Sequence, residues 1–486
     1  MIETPYSINL EGTYLYNQKR RKCKINIINP RRGVVVIGSP GSGKSWFIVE
    51  PAIEQLIRRG MSMLVFDAKY DSLSSYTYSQ FCKYRDAYPA SARFYNINFT
   101  DLSRSNRCNL IHPDSLPNLS DAMGVSKTAM LSINKTWAHK QGDFFVDSAI
   151  NFLAALIWFL KKYENGKYCT LPHAIELAQT PYEKLFPILM AEVEVQTLAG
   201  PYMQVFKNET FEVLDSQLSS MKIPLSRLAS PDLYYVLTGD DLTLNINDPD
   251  HPKVLCLGGD PARQEALAPI LSLYVDRINK LVNAPRRHPC ALILDEFGTV
   301  RAASTLQTIS VGRAHNIIPF IVVQDVSQLQ ILYSKAEADA ILNMTGNLLC
   351  GQTGGDTARW VSERFPTIVQ HKTTVSTNSI DTSRSESEQT MPAITPATLA
   401  TLSSGEFVGI LADDPGNEME FKAFHAKIIK KNKQEKLLEL PVVREIAPGE
   451  LEENFRRVKD EVRELVESEI KRIMRDPKLK GMVLKG

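Results

Sequence analysis

Val34-Val35-Val36-Ile37-Gly38-Ser39-Pro40-Gly41-Ser42-Gly43-Lys44-Ser45 is an apolar run, a glycine-rich turn, a lysine and a hydroxyl. A helix-compatible segment from Trp46 to Arg59 follows. Strand, glycine-rich loop and helix come in the order a P-loop requires. The glycines let the loop wrap so that backbone N–H groups point inward at phosphate oxygens, and the helix N-terminus adds positive potential. Gly38, Ser39, Pro40, Gly41, Ser42 and Gly43 are therefore the expected phosphate cradle. Lys44 is expected to reach the β- and γ-phosphates, and Ser45 to hold Mg²⁺. A chance turn ahead of a helix would not need the complete G-x-x-x-x-G-K-S, so nucleoside triphosphate binding is the expected role.

The complement of such a loop lies far downstream. Ala291-Leu292-Ile293-Leu294-Asp295-Glu296 is an apolar strand ending in adjacent carboxylates. Asp295 is expected to bind Mg²⁺ with Ser45, and Glu296 to orient and deprotonate the attacking water. Gln324 ends the next strand, Phe320-Ile321-Val322-Val323, and is expected to sense the γ-phosphate. Charge developing on the phosphoryl calls for a further cation, often an arginine from a neighbouring subunit. Arg313 is the first candidate, with Arg359 and Arg364 as alternatives. No N-K-x-D sequence that would read guanine is present: Asn134-Lys135 runs on to Thr136-Trp137, and Asn279-Lys280 to Leu281-Val282. ATP is expected over GTP.

The chain has 486 residues, room for two or three domains. Fifty-six basic against 55 acidic side chains give a net charge of +1, so no global field draws it onto nucleic acid; contact with DNA would need a local patch or a ring of subunits. Seven scattered cysteines without a C-x-x-C pair read as reduced thiols rather than a disulfide framework or zinc site. Met1-Ile2-Glu3-Thr4-Pro5 has no signal-peptide character. The longest apolar run, Ala149 to Leu160, falls short of the ~20 residues a bilayer span needs and is expected to be a buried helix.

Organisation follows the same signals. Residues 1–32 read as a β-rich lead-in, with Tyr14-Leu15-Tyr16 and Ile25-Asn26-Ile27-Ile28 separated by a basic turn, Lys19-Arg20-Arg21-Lys22. Ser62 to Phe66 is a second strand ending in Asp67-Ala68-Lys69, where an acidic residue faces either the nucleotide crevice or an ordinary turn. Residues 1–108 are thus the first part of a nucleotide-binding domain. Residues 109–244 lose strand signals and read as an inserted all-α domain, with Phe144 to Tyr163 at its centre and Pro172, Pro181 and Pro201 at helix starts. Residues 245–430 resume the α/β pattern through Val254 to Leu257, Pro319 to Val323 and Leu348 to Cys350. Thr373 to Glu388 is a solvated hairpin or a loop, and Phe407 to Leu411 one more strand at an edge. In the charged tail, 431–486, Leu451, Phe455, Val458, Val462 and Leu465 mark an amphipathic helix, packed on its own chain or offered to a partner. The fold class expected is α/β, a P-loop ATPase with a parallel doubly wound sheet.

Assembled, these residues resemble the VirD4/TraG/TraD coupling ATPases of type IV secretion and conjugation. The likeness is carried by the P-loop with Asp67-Ala68-Lys69, by Asp143-Phe144-Phe145-Val146-Asp147-Ser148-Ala149, and by Leu294-Asp295-Glu296-Phe297-Gly298. A fourth passage runs from Gly312-Arg313 through Gln324-Asp325-Val326-Ser327-Gln328-Leu329 to Tyr333 and Asn343. The resemblance implies a RecA-like motor with a helical domain, assembled as a homo-hexamer. It would couple ATP hydrolysis to moving DNA or delivering a relaxase or other secreted protein to a type IV secretion channel. Family members usually begin with transmembrane helices, which this sequence does not show; a soluble variant, a form recruited by a membrane partner and a trimmed chain all fit, and the location expected is cytoplasmic, at the cytoplasmic face of the inner membrane through partners. The family's Asn-Pro-Leu is here only Asn109-Leu110. The rival readings are a coupling ATPase that docks protein effectors, a DNA pump of the FtsK/HerA kind unconnected with secretion, and a scaffold that binds ATP without turnover.

Overall fold

The computed structural model describes residues 2–134, 136–137, 140, 142–208, 210–377, 382–430 and 436–479. Its strands in chain order are β1 (Ile8–Tyr16), β2 (Lys19–Ile27), β3 (Val34–Ile37), β4 (Ser62–Asp67), β5 (Arg93–Ile97), β6 (Lys253–Gly258) and β7 (Cys290–Leu294). Then come β8 (Ile317–Val323), β9 (Asn347–Cys350), β10 (Thr367–Thr377), β11 (Thr382–Pro392), β12 (Glu406–Ile410) and β13 (Ala423–Ile428).

Eleven of these form one sheet in the order β2-β1-β13-β12-β9-β3-β8-β7-β4-β6-β5. From β9 to β5 every neighbouring pair is parallel. β12, β13, β1 and β2 extend it antiparallel. The sheet is thus mostly parallel, as expected, with an antiparallel wing that lengthens it. β3, β4, β6, β7, β8 and β9 are buried along their whole lengths, which is why they read as unbroken apolar runs rather than alternating ones. Successive side chains serve opposite faces. Val34 and Val36 join one core with Ile48, Ala52 and Leu56 of the helix after the P-loop, while Val35 and Ile37 join the other.

Several expectations are corrected. The turn of the leading hairpin is Asn17-Gln18, both at positive φ, and Lys19 to Lys22 lie inside β2. β12 is not an edge strand: it pairs with both β9 and β13, leaving β2 and β5 at the edges. Thr373 to Glu388 lies within a separate two-stranded hairpin, β10–β11, with residues 378–381 outside the described ones. Pro172 does open a helix, Leu171–Ala178, but Pro201 sits inside Val193–Lys207.

Between β5 and β6 the chain runs through helices, among them Leu119–Ile133, Phe144–Lys162, Tyr182–Ala191 and Pro231–Leu237. Asp143 caps the second of these by accepting from the N–H groups of Phe145 and Val146. The apolar stretch is longer than the sequence suggested. Phe144–Gly166 is long and apolar enough to cross a membrane, its most apolar 18 residues having a mean hydropathy of 1.6, yet 72% of that stretch is buried inside the protein. Asn109 anchors the start of this region, its amide donating to Cys169 O at 2.9 Å. From residue 436 the chain crosses back, Val443 N donating to Ser103 O at 2.8 Å. It ends in the helix Glu450–Arg475, which buries Val458, Val462, Leu465 and Ile473. That helix packs on Pro231–Leu237, Tyr182–Ala191 and Leu171–Ala178, where Glu461 meets the buried His173 at 3.0 Å.

Candidate active site

The site lies beyond the carboxyl ends of the central strands, where open α/β sheets present their ligand crevice. β3 delivers the P-loop between its neighbours β8 and β9. Gly38 N donates to Val323 O at 3.3 Å, and Ser39 N to Gln352 O at 2.7 Å, so the loop is tied to the segments leaving both neighbours. Gly405 N donates to Ser42 O at 3.1 Å from the turn before β12. Glycine is required for shape at two points. A Cβ on Gly38 would lie 2.7 Å from Ser42 Oγ, and one on Gly43, at φ +89°, would lie 2.6 Å from the Phe47 ring.

Lys44 is buried, and its ammonium donates to the carbonyl oxygens of Gly38 and Ser39. Burial pushes its pKa down, while the Asp295 and Glu296 carboxylates pull it back up. Those two residues therefore face the loop, although β7 is not adjacent to β3: β8 stands between. Asp295 is buried, and burial first, then Glu296 and Asp67, lifts its carboxyl to about 7 against the pull of Lys44 and Lys69. Glu296 has φ +44°, a left-handed conformation that costs about 1–3 kcal/mol in a non-glycine residue and clusters at functional sites. Thr299 holds that turn, its N–H and hydroxyl donating to Glu296 O at 2.9 and 2.8 Å.

Gln324, past the end of β8, donates from Nε2 to Glu296 Oε1 at 2.6 Å. Lys69, past the end of β4, places its ammonium 2.5 Å from the same oxygen. Its pKa is raised chiefly by that hydrogen bond. Asp67 is fully buried. Its carboxylate accepts from Ser74 N and Oγ, both at 2.9 Å, capping the next helix, and burial raises its pKa. Asp67-Ala68-Lys69 stands out in the sequence as a strand end without assigning the lysine a role; its position two residues past the acid is the signal that marks it.

Arg313 is not brought to this site. It precedes β8, at the opposite end of that strand from Gln324. Seven extended residues separate the ends by about 23 Å. Half-exposed, Arg313 lies 3.7 Å from Asp414. Arg359 pairs with Asp356 at 3.0 Å, and Arg364 covers the Trp360 ring at 3.8 Å. Asn279 is buried and donates to Thr305 Oγ1 at 2.9 Å, while the exposed Lys280 pairs with the buried Asp276 at 2.9 Å.

Two features test the fit of a triphosphate with Mg²⁺. Ser42 Oγ is buried inside the loop without a hydrogen-bond partner, a polar atom that a phosphate oxygen would satisfy. Ser45 and Asp295 supply hard oxygen donors of the kind Mg²⁺ takes. The residues present fit both groups.

Comparison with known proteins agrees. Residues 15–420 match the family model described as Type IV secretory system Conjugative DNA transfer. No curated protein matches significantly. Among solved structures, the chain is similar to an unbound form of the bacterial conjugative coupling protein TrwBdeltaN70. Identity there is 18% and the TM-score 0.62, over 80% of this chain and 84% of that one. It is also similar to the plasmid coupling protein TrwB in complex with the GTP analogue GDPNP (17% identity, TM-score 0.62, 84% and 89% covered). TrwB with ADP and Mg²⁺ gives 16% identity and a TM-score of 0.61, with 85% and 87% covered. These likenesses carry the fold, a RecA-like sheet with a helical domain. With the family match spanning most of its length, and the residues of the P-loop, Asp295-Glu296 and Gln324 gathered at one crevice, the chain belongs to the type IV secretory system conjugative DNA transfer family.

Proposed function

We propose that this chain is an ATP-hydrolysing coupling protein that moves DNA, or a relaxase joined to DNA, toward a type IV secretion channel. The reading rests on one observation above all: Lys44, Asp295, Glu296 and Gln324 converge beyond neighbouring parallel strands. In it, Gly38 to Ser45 cradle the triphosphate, and Lys44 carries positive charge to its β- and γ-oxygens. Ser45 and Asp295 would hold Mg²⁺, which neutralises charge on the same oxygens when bound. Glu296 takes a proton from water as the water oxygen bonds to the γ-phosphorus. The bond from that phosphorus to the bridging oxygen breaks, its electron pair leaving on ADP. Gln324 orients the base.

The remoteness of Arg313 from its own crevice fits a finger offered to the next subunit of a ring, and the family's homo-hexamer is the assembly we adopt. Residues 1–108 and 245–430 form the motor, 109–244 its helical insert and 431–486 a charged tail whose helix, Glu450–Arg475, packs on that insert. A membrane partner would hold the ring at the cytoplasmic face of the inner membrane.

The test is the rate of Mg²⁺-dependent ATP hydrolysis by the full chain with and without DNA. Stimulation that falls steeply with salt is the expected result, since phosphate contacts release counterions. Hydrolysis indifferent to DNA but raised by a secreted protein would replace this reading with effector docking, and no hydrolysis at all would leave a scaffold.

A further inference from the structure

In the sheet, β7 lies between β8 and β4. Three polar side chains that follow these strands meet at one point: Gln324 after β8, Glu296 after β7 and Lys69 after β4. Gln324 Nε2 and Lys69 Nζ reach Glu296 from its two flanks and bind the same oxygen, Oε1, at 2.6 and 2.5 Å. Among the described residues none donates to Oε2. We propose that Lys69 is a positioning residue for Glu296, pinning Oε1 together with Gln324 so that Oε2 is the atom presented to the attacking water.

This rests on the hydrolytic reading of the site. The torsion that turns a glutamate carboxylate is broad and roughly two-fold, so a single donor would leave the two oxygens free to swap. Donors on opposite flanks remove that freedom. The backbone is fixed as well, Thr299 tying Glu296 O into its left-handed turn. Proton bookkeeping is unchanged by the assignment: water gives its proton to Oε2, and Lys69 neither gains nor loses one. A solvent-facing ion pair with no such duty would contribute almost nothing, and Lys69 is 58% exposed; the two ideas therefore differ in what a substitution does.

The experiment measures kcat for ATP and the affinity for a fluorescent non-hydrolysable ATP analogue in the full chain. The proteins compared are wild type, Lys69→Met and Lys69→Arg, with Lys69→Met also made in a Glu296→Ala background. A misplaced catalytic group costs up to ~100-fold, so Lys69→Met should lower kcat by about 10- to 100-fold. Analogue affinity should stay within about twofold, because that mutation leaves the P-loop untouched. Lys69→Arg should recover part of the loss. With Glu296 absent, Lys69→Met should change the residual rate by less than about twofold, since two residues acting through one contact are not additive. Normal kcat in Lys69→Met, a parallel fall in affinity, or an undiminished loss in the Glu296→Ala background would each overturn the assignment. An inactive wild type, or an unimpaired Glu296→Ala, would instead overturn the hydrolytic reading beneath it.

Discussion

Asp295→Asn should leave this protein more stable and hydrolytically dead at once. Asp295 closes β7 at 6% exposure, with Glu296 beside it and Asp67 across the strand ends. Burial and those two carboxylates lift its pKa from the ordinary 3.8 to about 7. Each tenfold is worth ~1.4 kcal/mol, so ionising this side chain in the folded state forfeits ~4 kcal/mol relative to the unfolded chain. The sign follows from proton binding. The folded protein holds this proton more tightly than the unfolded one, so this group's contribution is most favourable below pH ~4, declines as pH rises to about 7, and levels off beyond. Asparagine has the same shape and no charge to desolvate. The stability of Asp295→Asn should therefore exceed wild type by a margin that widens from pH 5 to pH 8, where it reaches about 4 kcal/mol. Urea midpoints for the two proteins, measured without divalent metal across that range, report the difference, which includes the response of Glu296, Lys44 and Lys69 to the lost charge. Adding Mg²⁺ should narrow the gap at pH 8 by stabilising wild type alone, by RT ln(1 + [Mg²⁺]/Kd). A gap that stays flat, or closes as pH rises, would refute the claim that a buried, repelled carboxylate ends this strand.

Glu296→Gln should bind ATP normally and hydrolyse it ~10²–10⁴-fold more slowly, the usual worth of a general base; single-turnover kinetics separate the two effects. Arg313→Ala subunits mixed with Lys44→Ala subunits should recover hydrolysis at the crevices where an intact P-loop meets an intact arginine, and mixtures as inactive as their parents would remove Arg313 from that role. Leu465→Ala empties a fully packed position of the last helix and should cost about 2–3 kcal/mol in a denaturant midpoint while leaving nucleotide affinity unchanged.

Much of this was legible before any fold was known, because some constraints are local. A loop that wraps phosphate must contain glycines and a lysine at fixed offsets, so Gly38 to Ser45 announced itself. A parallel strand buried on both faces must be apolar throughout, so β3, β4, β6, β7, β8 and β9 stood out as runs. Asp295 and Glu296 were legible as strand-end carboxylates. The amphipathic spacing of Val458, Val462 and Leu465 gave a helix, though not the surface it covers. Boundaries set by pairing rather than composition were misjudged: Lys19 to Lys22 read as a turn because they are charged, yet they are the exposed first four residues of an edge strand, where charge discourages further pairing.

What residue order along the chain could not supply is order across the sheet. Composition alone does not say that β8 separates the P-loop strand from β7, or that β4 flanks β7 on its other side. That arrangement gives Gln324, expected from its strand-end position to sense the γ-phosphate, a hydrogen bond to Glu296, and gives Lys69 a partner it lacks in the sequence. It also carries Arg313 to the far end of a strand whose near end serves the site. The sequence by itself determined which chemistry the chain carries, since phosphate-binding residues are constrained by neighbours a few positions away. Only the tertiary structure decided which side chains share an oxygen, since hydrogen bonds between strand ends depend on sheet order, and sheet order is set by packing among segments hundreds of residues apart.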